Sequence, residues 1–147
     1  MFLTRIASPY LISDVVDIAT GNILTTTSAT YVAVSGITIT FNAALGDVLL
    51  IACAFVVRAD SGTLGRAVVM VNDNGTQQEV AATERTSDSV GGIVPVTTFA
   101  KYVMANGPAS GAAVSTTVTL RGKRVSGAGN VYVSSPVSLA VIATRGL

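Results

Sequence analysis

From Ile23 onward, the chain reads as short extended segments broken by glycine, asparagine and serine, the spacing of a sandwich or barrel. Helical periodicity is hard to find. Between Tyr31 and Phe41 the residues alternate: Val32 and Val34 share one face and, after a break at Ser35-Gly36, Ile37, Ile39 and Phe41 share a face opposite Thr38 and Thr40. That pattern predicts a half-buried strand kinked at glycine. Leu45-Gly46-Asp47 then turns the chain into the uninterrupted apolar run from Val48 to Val57, which predicts a central strand covered on both faces. Arg66 to Val71 is a further β-branched run ending at Asn72-Asp73-Asn74-Gly75. Asn-Gly between two extended segments is a strong hairpin signal, because both residues tolerate positive φ. Gln77 to Arg85 is the returning strand, and its polarity puts it near an edge; Ser87 to Gly92 follows as a polar loop.

The second half continues in the same manner. Val94, Val96, Ala100, Tyr102 and Met104 fall on one face, interrupted by Thr98, and Pro95 assigns that segment to an edge or a bulge, since proline cannot donate to a ladder. Asn106-Gly107-Pro108 closes it. Val114, Val118 and Leu120 mark the next strand, Gly127 to Asn130 the next turn, and Val131, Val133, Val137, Leu139 and Val141 keep phase to Thr144. The predicted class is all-β: a jelly-roll-like antiparallel β-sandwich of about eight strands over 23–147.

Residues 1–22 differ. They hold apolar residues (Phe2, Leu3, Ile6, Tyr10, Leu11, Ile12, Val15, Val16, Ile18) without a sustained period, together with Pro9 and a closing Gly21-Asn22. They read as an extended N-terminal arm, with Asp14 to Ile18 able to form a helical turn. Standing alone, an arm of this composition would leave its apolar groups in water, so it is expected to pack on something.

Composition narrows the function. Half of the 147 residues are hydrophobic and 12% are charged, against a usual charged share of about 25%, so the surplus apolar surface calls for a protein partner. A formal net charge of +1 supplies no field to draw in nucleic acid or an anionic membrane. The longest apolar run is half the roughly 20 residues that a membrane-spanning helix needs. Arg5, Pro9, Asp14 and Asp17 break the order expected of a secretory signal. Cys53, the single cysteine, sits inside the apolar run and is expected to be buried and inert.

The chain has no histidine, which removes histidine-based triads, the usual zinc constellations and the common general base near neutral pH. The acids Asp14, Asp17, Asp47, Asp60, Asp73, Glu79, Glu84 and Asp88 fall mostly in polar turns or the arm, with no sign of a glycosidase pair. Neither an enzyme nor a cofactor or metal site is expected. Asn72 to Gly75 offers oxygen ligands beside a glycine but lacks calcium-loop spacing, and a hairpin turn explains the same residues. Gly62-Thr63-Leu64-Gly65 and Gly91-Gly92 lack the lysine and strand-to-helix context of a phosphate loop. Arg121, Lys123 and Arg124 form a basic cluster without interleaved aromatics, which reads as a solvated strand end rather than a DNA site.

Taken in order, Thr25 to Tyr31, Gly46-Asp47-Val48-Leu49-Leu50, Asn106 to Gly111, Thr117-Val118-Thr119-Leu120, Arg124-Val125-Ser126-Gly127 and Leu139-Ala140-Val141-Ile142 resemble the strand motifs of jelly-roll domains in tailed-phage virion proteins. Such domains occur on tail fibres, head fibres and capsid decoration proteins, commonly as trimers. A short arm before a single jelly roll is most similar to the decoration proteins. The resemblance therefore implies a homotrimer made in the host cytoplasm, seated on the outer capsid surface and bound to the major capsid protein. It implies no partner among nucleic acids or membranes. Arm residues Phe2, Leu3, Arg5, Ile6, Tyr10, Leu11 and Ile12 are the candidates for contacts with neighbouring subunits, and Tyr132 and Ile142, apolar positions alternating outward, for the trimer interface. The competing expectation is a receptor- or carbohydrate-binding head of a tail or head fibre. It is weakened by the absence of tryptophan and by tyrosines placed in strand patterns.

Overall fold

The structure, a computed structural model, describes residues 10–18, 22–88, 92 and 94–145, with 10–18 and 22 described through their backbone. Ten strands carry these residues: β1 (Tyr10–Ile18), β2 (Asn22–Thr26), β3 (Val32–Ala43), β4 (Val48–Ala59), β5 (Leu64–Asp73), β6 (Thr76–Glu79), β7 (Arg85–Thr86), β8 (Val94–Val103), β9 (Val114–Ser126) and β10 (Val131–Thr144). A single 3₁₀ turn, Ala81–Thr83, is the one helical element among the described residues, and no helix there is long and apolar enough to cross a membrane.

Two antiparallel sheets result, ordered β1-β10-β4-β8 and β3-β9-β5-β6. β2 follows β1 along the same edge of β10, and β7 shares the β5 edge with β6, so the ten strands fill eight positions. The ladders pair first with last throughout: β1 and β2 with β10, β3 with β9, β4 with β8, β5 with β6 and β7. This is one long hairpin rolled up so that successive pairs alternate between sheets, the jelly-roll arrangement.

The alternation seen in the sequence becomes burial. Leu49, Ile51, Cys53, Phe55 and Val57 of β4 and Val131, Val133, Val137, Leu139 and Val141 of β10 line the inner face of one sheet. Ile37, Ile39 and Phe41 of β3 and Val118 and Leu120 of β9 meet them from the other. The phase of β3 does change at Ser35-Gly36: the register on β9 shifts between Ala33 and Thr38, and Gly36 has φ 75°. A side chain at Gly65 or Gly122 would run into Val131 or Leu24, so these two glycines let the sheets close at one end. Asn74 (φ 49°) and Gly75 (φ 86°) make the two-residue β5–β6 turn, both with positive φ as a type I′ hairpin requires.

Three expectations are corrected. The first concerns the arm: residues 10–18 form neither a detached arm nor a helical turn but strand β1, paired along β10 from Tyr10↔Thr144 to Ile18↔Val137. Without it, the outer backbone edge of β10 would be open, and an unpaired ladder edge is costly or a template for aggregation. Second, β4 is central but not covered on both faces, since Val48, Leu50, Ala52, Ala54 and Val56 alternate outward with partial exposure. Third, the strand expected over Gln77 to Arg85 is interrupted. Val80 N–H donates to the Val69 carbonyl, and the Thr83 hydroxyl accepts from Val69 N–H (2.9 Å), so the chain makes a 3₁₀ turn there and resumes as β7.

Candidate interaction surface

The outward residues of β4, β8 and β10 form one continuous face. Cross-strand pairing sets its rows: Val103–Val48–Thr144, Lys101–Leu50–Ile142, Phe99–Ala52–Ala140, Thr97–Ala54–Ser138, Pro95–Val56–Ser134, and Arg58 beside Tyr132. Only Lys101 and Arg58 are charged. Phe99 is 66% exposed and Val103 45%, whereas the small residues between them keep the face flat. From Val48 to Arg58 the face is about 33 Å long, and across its three strands about 14 Å wide, roughly 460 Å². That lies within the ~300–600 Å² of the largest patch on a typical monomer, a size at which such patches are often functional, and is a little over half of the ~800 Å² per partner of a standard interface.

The residues proposed for contact divide as follows. Ile142 lies on this face beside Leu50 and is half-buried. Tyr132 also points outward, but its ring is occupied: the Arg58 guanidinium stacks over it at 4.2 Å and its hydroxyl donates to Asp60 at 3.1 Å. The backbones of Tyr10, Leu11 and Ile12 belong to β1, while Phe2, Leu3, Arg5 and Ile6 lie outside the described residues. Sequence reading missed Leu50, Ala52, Ala54, Val56, Phe99, Val103 and Ala140. An uninterrupted apolar strand does not say which of its faces is covered, but Phe99 and Val103, out of phase with the core face of β8, were a usable signal.

The acids serve the loops. Asp73, fully buried, accepts from the Tyr102 hydroxyl (2.7 Å), Ala105 N–H (2.7 Å) and Asn106 N–H (3.1 Å), fastening the end of β5 to the β8–β9 loop. Asp47 caps the β3–β4 turn by accepting Ala44 N–H at 2.8 Å. Asp60 accepts Asn130 N–H at 2.8 Å. This bond, with those from the Tyr132 hydroxyl and the Asn130 side chain, holds its carboxyl below the usual aspartate range. Glu79 and Glu84 both bind the guanidinium of Arg66 on the outer face of the second sheet. There Lys123 lies 4.2 Å over the Tyr31 ring, so two members of this surface, Lys123 and Arg66, have partners of their own. Cys53 is 4% exposed, and burial pushes its thiol up to about 11. Among the described residues, no three metal-ligating side chains come together.

No protein-family model matches the chain, and no curated protein matches it in sequence. Among solved structures it is similar to the CBM22-1 xylan-binding domain of Paenibacillus barcinonensis Xyn10C, at 12% identity and a TM-score of 0.38, over 88% of this chain and 98% of that one. It is also similar to the enzymatically active domain of bacteriophage CBA120 tailspike protein 4, at 13% identity and a TM-score of 0.34, over 88% of this chain but 19% of that one. A third is a chain of infectious bursal disease virus, Gt strain, at 13% identity and a TM-score of 0.32, over all of this chain and 46% of that one. The fold itself rests on the chain's own ladders: eight strand positions in two facing antiparallel sheets, paired first with last, make it a jelly-roll β-sandwich.

Proposed function

We propose that this chain is a structural protein of a bacteriophage virion, a homotrimer that binds the outside of the capsid and stabilises it, with its N-terminal segment contacting neighbouring subunits. The observation that carries the self-association is the open face of β8, β4 and β10, where Leu50, Phe99, Val103 and Ile142 turn outward and Lys101 and Arg58 are the charged residues. Its occupant is a further copy of the chain, because the mostly apolar rows from Val48 to Ala52 complement another apolar face better than a polar ligand. The virion context is supported by the ordered strand motifs from Thr25 to Ile142, which resemble those of tailed-phage jelly rolls.

The test is mass photometry or sedimentation of the purified protein, then co-pelleting with expanded empty shells of the parent virus that lack it. A trimer that pellets at saturable stoichiometry is expected, and Leu50→Asp or Ile142→Asp is expected to shift the mass to monomer while the melting transition stays cooperative. A monomeric wild type that ignores shells would discard the reading.

One observation favours a second reading. Phe99 is an aromatic ring two-thirds exposed on a flat sheet, a platform on which a sugar ring could stack in a carbohydrate-binding head. Specific glycan-array binding that Phe99→Ala abolishes would promote it.

A further inference from the structure

We infer that the chain docks on the shell through one end of the sandwich, the end built from the β3–β4 turn, the β5–β6 hairpin and the β8–β9 loop; the inference rests on the capsid-binding reading above. The strand register brings the relevant features to this end. Tyr10 opposes Thr144, Thr144 opposes Val48, and Val48 opposes Val103, so the start of β1 and the end of β10 lie in one row there. Tyr10, the first described residue, therefore lies at this end.

Exposed apolar side chains gather at the same place. Leu45, 48% exposed, tops the β3–β4 turn and Val103 ends β8, while the loop 105–113 between β8 and β9 is an open run of alanine, glycine, serine and proline with one asparagine. At the opposite end, Val125 is the one large exposed apolar side chain among the described residues, beside Arg124 and the turn at Gly127. Charge also separates the ends. The acids described at the docking end, Asp47 and Asp73, are buried in hydrogen bonds, and among the described residues Lys101 and Arg145 are its exposed charges. A partner surface that is apolar and bordered by carboxylates therefore fits it.

The end is also held in shape before any partner arrives. Gly46 N–H donates to the Met104 carbonyl and Met104 N–H to the Asp47 carbonyl, both at 2.9 Å, and Ala105 and Asn106 are fastened to Asp73. A surface already ordered loses little conformational freedom on binding.

The test compares Leu45→Asp and Ala109→Asp at this end with Val125→Asp at the other, using purified trimers and empty expanded shells lacking the protein. All three positions are exposed, and each variant is first checked for an unchanged melting transition and particle mass. Leu45→Asp and Ala109→Asp are expected to weaken shell binding at least tenfold and Val125→Asp less than twofold. Hydrogen exchange on the wild-type complex is expected to show new protection at 44–46 and 104–113. Weakening by Val125→Asp with Leu45→Asp unaffected, or protection confined to 60–63 and 124–130, would overturn the inference while leaving capsid binding intact. Loss of trimer mass in Leu45→Asp would assign this end to contacts between copies and overturn it as well. Wild type that fails to pellet with shells would instead remove the capsid reading and this inference with it.

Discussion

Replacing Asp73 by alanine tests whether a single carboxylate holds the hairpin end of the sandwich together. Its two oxygens accept from Tyr102, Ala105 and Asn106 at 2.7, 2.7 and 3.1 Å, and the residue is fully buried. Hydrogen bonds to a charged acceptor contribute about 1.5–3 kcal/mol each, and donors stranded by its removal add desolvation cost. The three act as one unit and their donors are only part-buried, so water replaces some of the loss. The expected destabilisation is about 3–4 kcal/mol, or a fall in Tm of roughly 10–15 °C for a domain of this size. Asp73→Asn, which keeps an acceptor but turns an amide N–H₂ toward the remaining donors, should lose about 2 kcal/mol. Urea unfolding at fixed protein concentration measures both. A second readout is independent of stability: burial and the Asp73 carboxylate hold the Tyr102 hydroxyl above the ordinary tyrosine range, so ultraviolet titration of Asp73→Ala should show one tyrosine moving back toward it. An Asp73→Ala protein within 1 kcal/mol of wild type, with an unmoved tyrosine titration, would refute the latch.

Gly65→Ala should destabilise by about 1–3 kcal/mol in thermal melts, because its new methyl would meet the fully buried Val131 across the sandwich and that side chain has no room to turn away. The Cys53 thiol, pushed up to about 11 by burial, should stay unreactive toward Ellman's reagent at pH 8 and react within the time of unfolding when urea is added. Asp60, whose carboxyl is held low in the folded state by Asn130 and Tyr132, binds a proton less readily folded than unfolded. Its contribution is therefore complete above the unfolded pKa of about 3.9 and is lost as pH falls through the lower folded value. Stability curves of wild type and Asp60→Asn should accordingly lie furthest apart near neutral pH and converge once the pH has fallen below the depressed folded value of Asp60.

Much of the fold was legible in the sequence because strand alternation and turn chemistry are local. The period of two in Ile37–Ile39–Phe41 and in Val131 to Val141 marked the inner faces, Ser35-Gly36 marked the change of phase, and Asn74-Gly75 marked the hairpin, each within a few residues. The tertiary structure decided what joins positions far apart in the chain. It assigned Tyr10–Ile18 to the edge of β10, where a stretch of mixed polarity gains backbone hydrogen bonds that its side chains do not announce. It also turned Asp73 and Asp60 from turn residues into clamps on partners 29 and 72 positions away. Finally, it left one face of β4 open although its sequence is apolar on both. A run of apolar residues records that neither side prefers water, but whether the chain or a second molecule covers a side depends on the packing of the sheets.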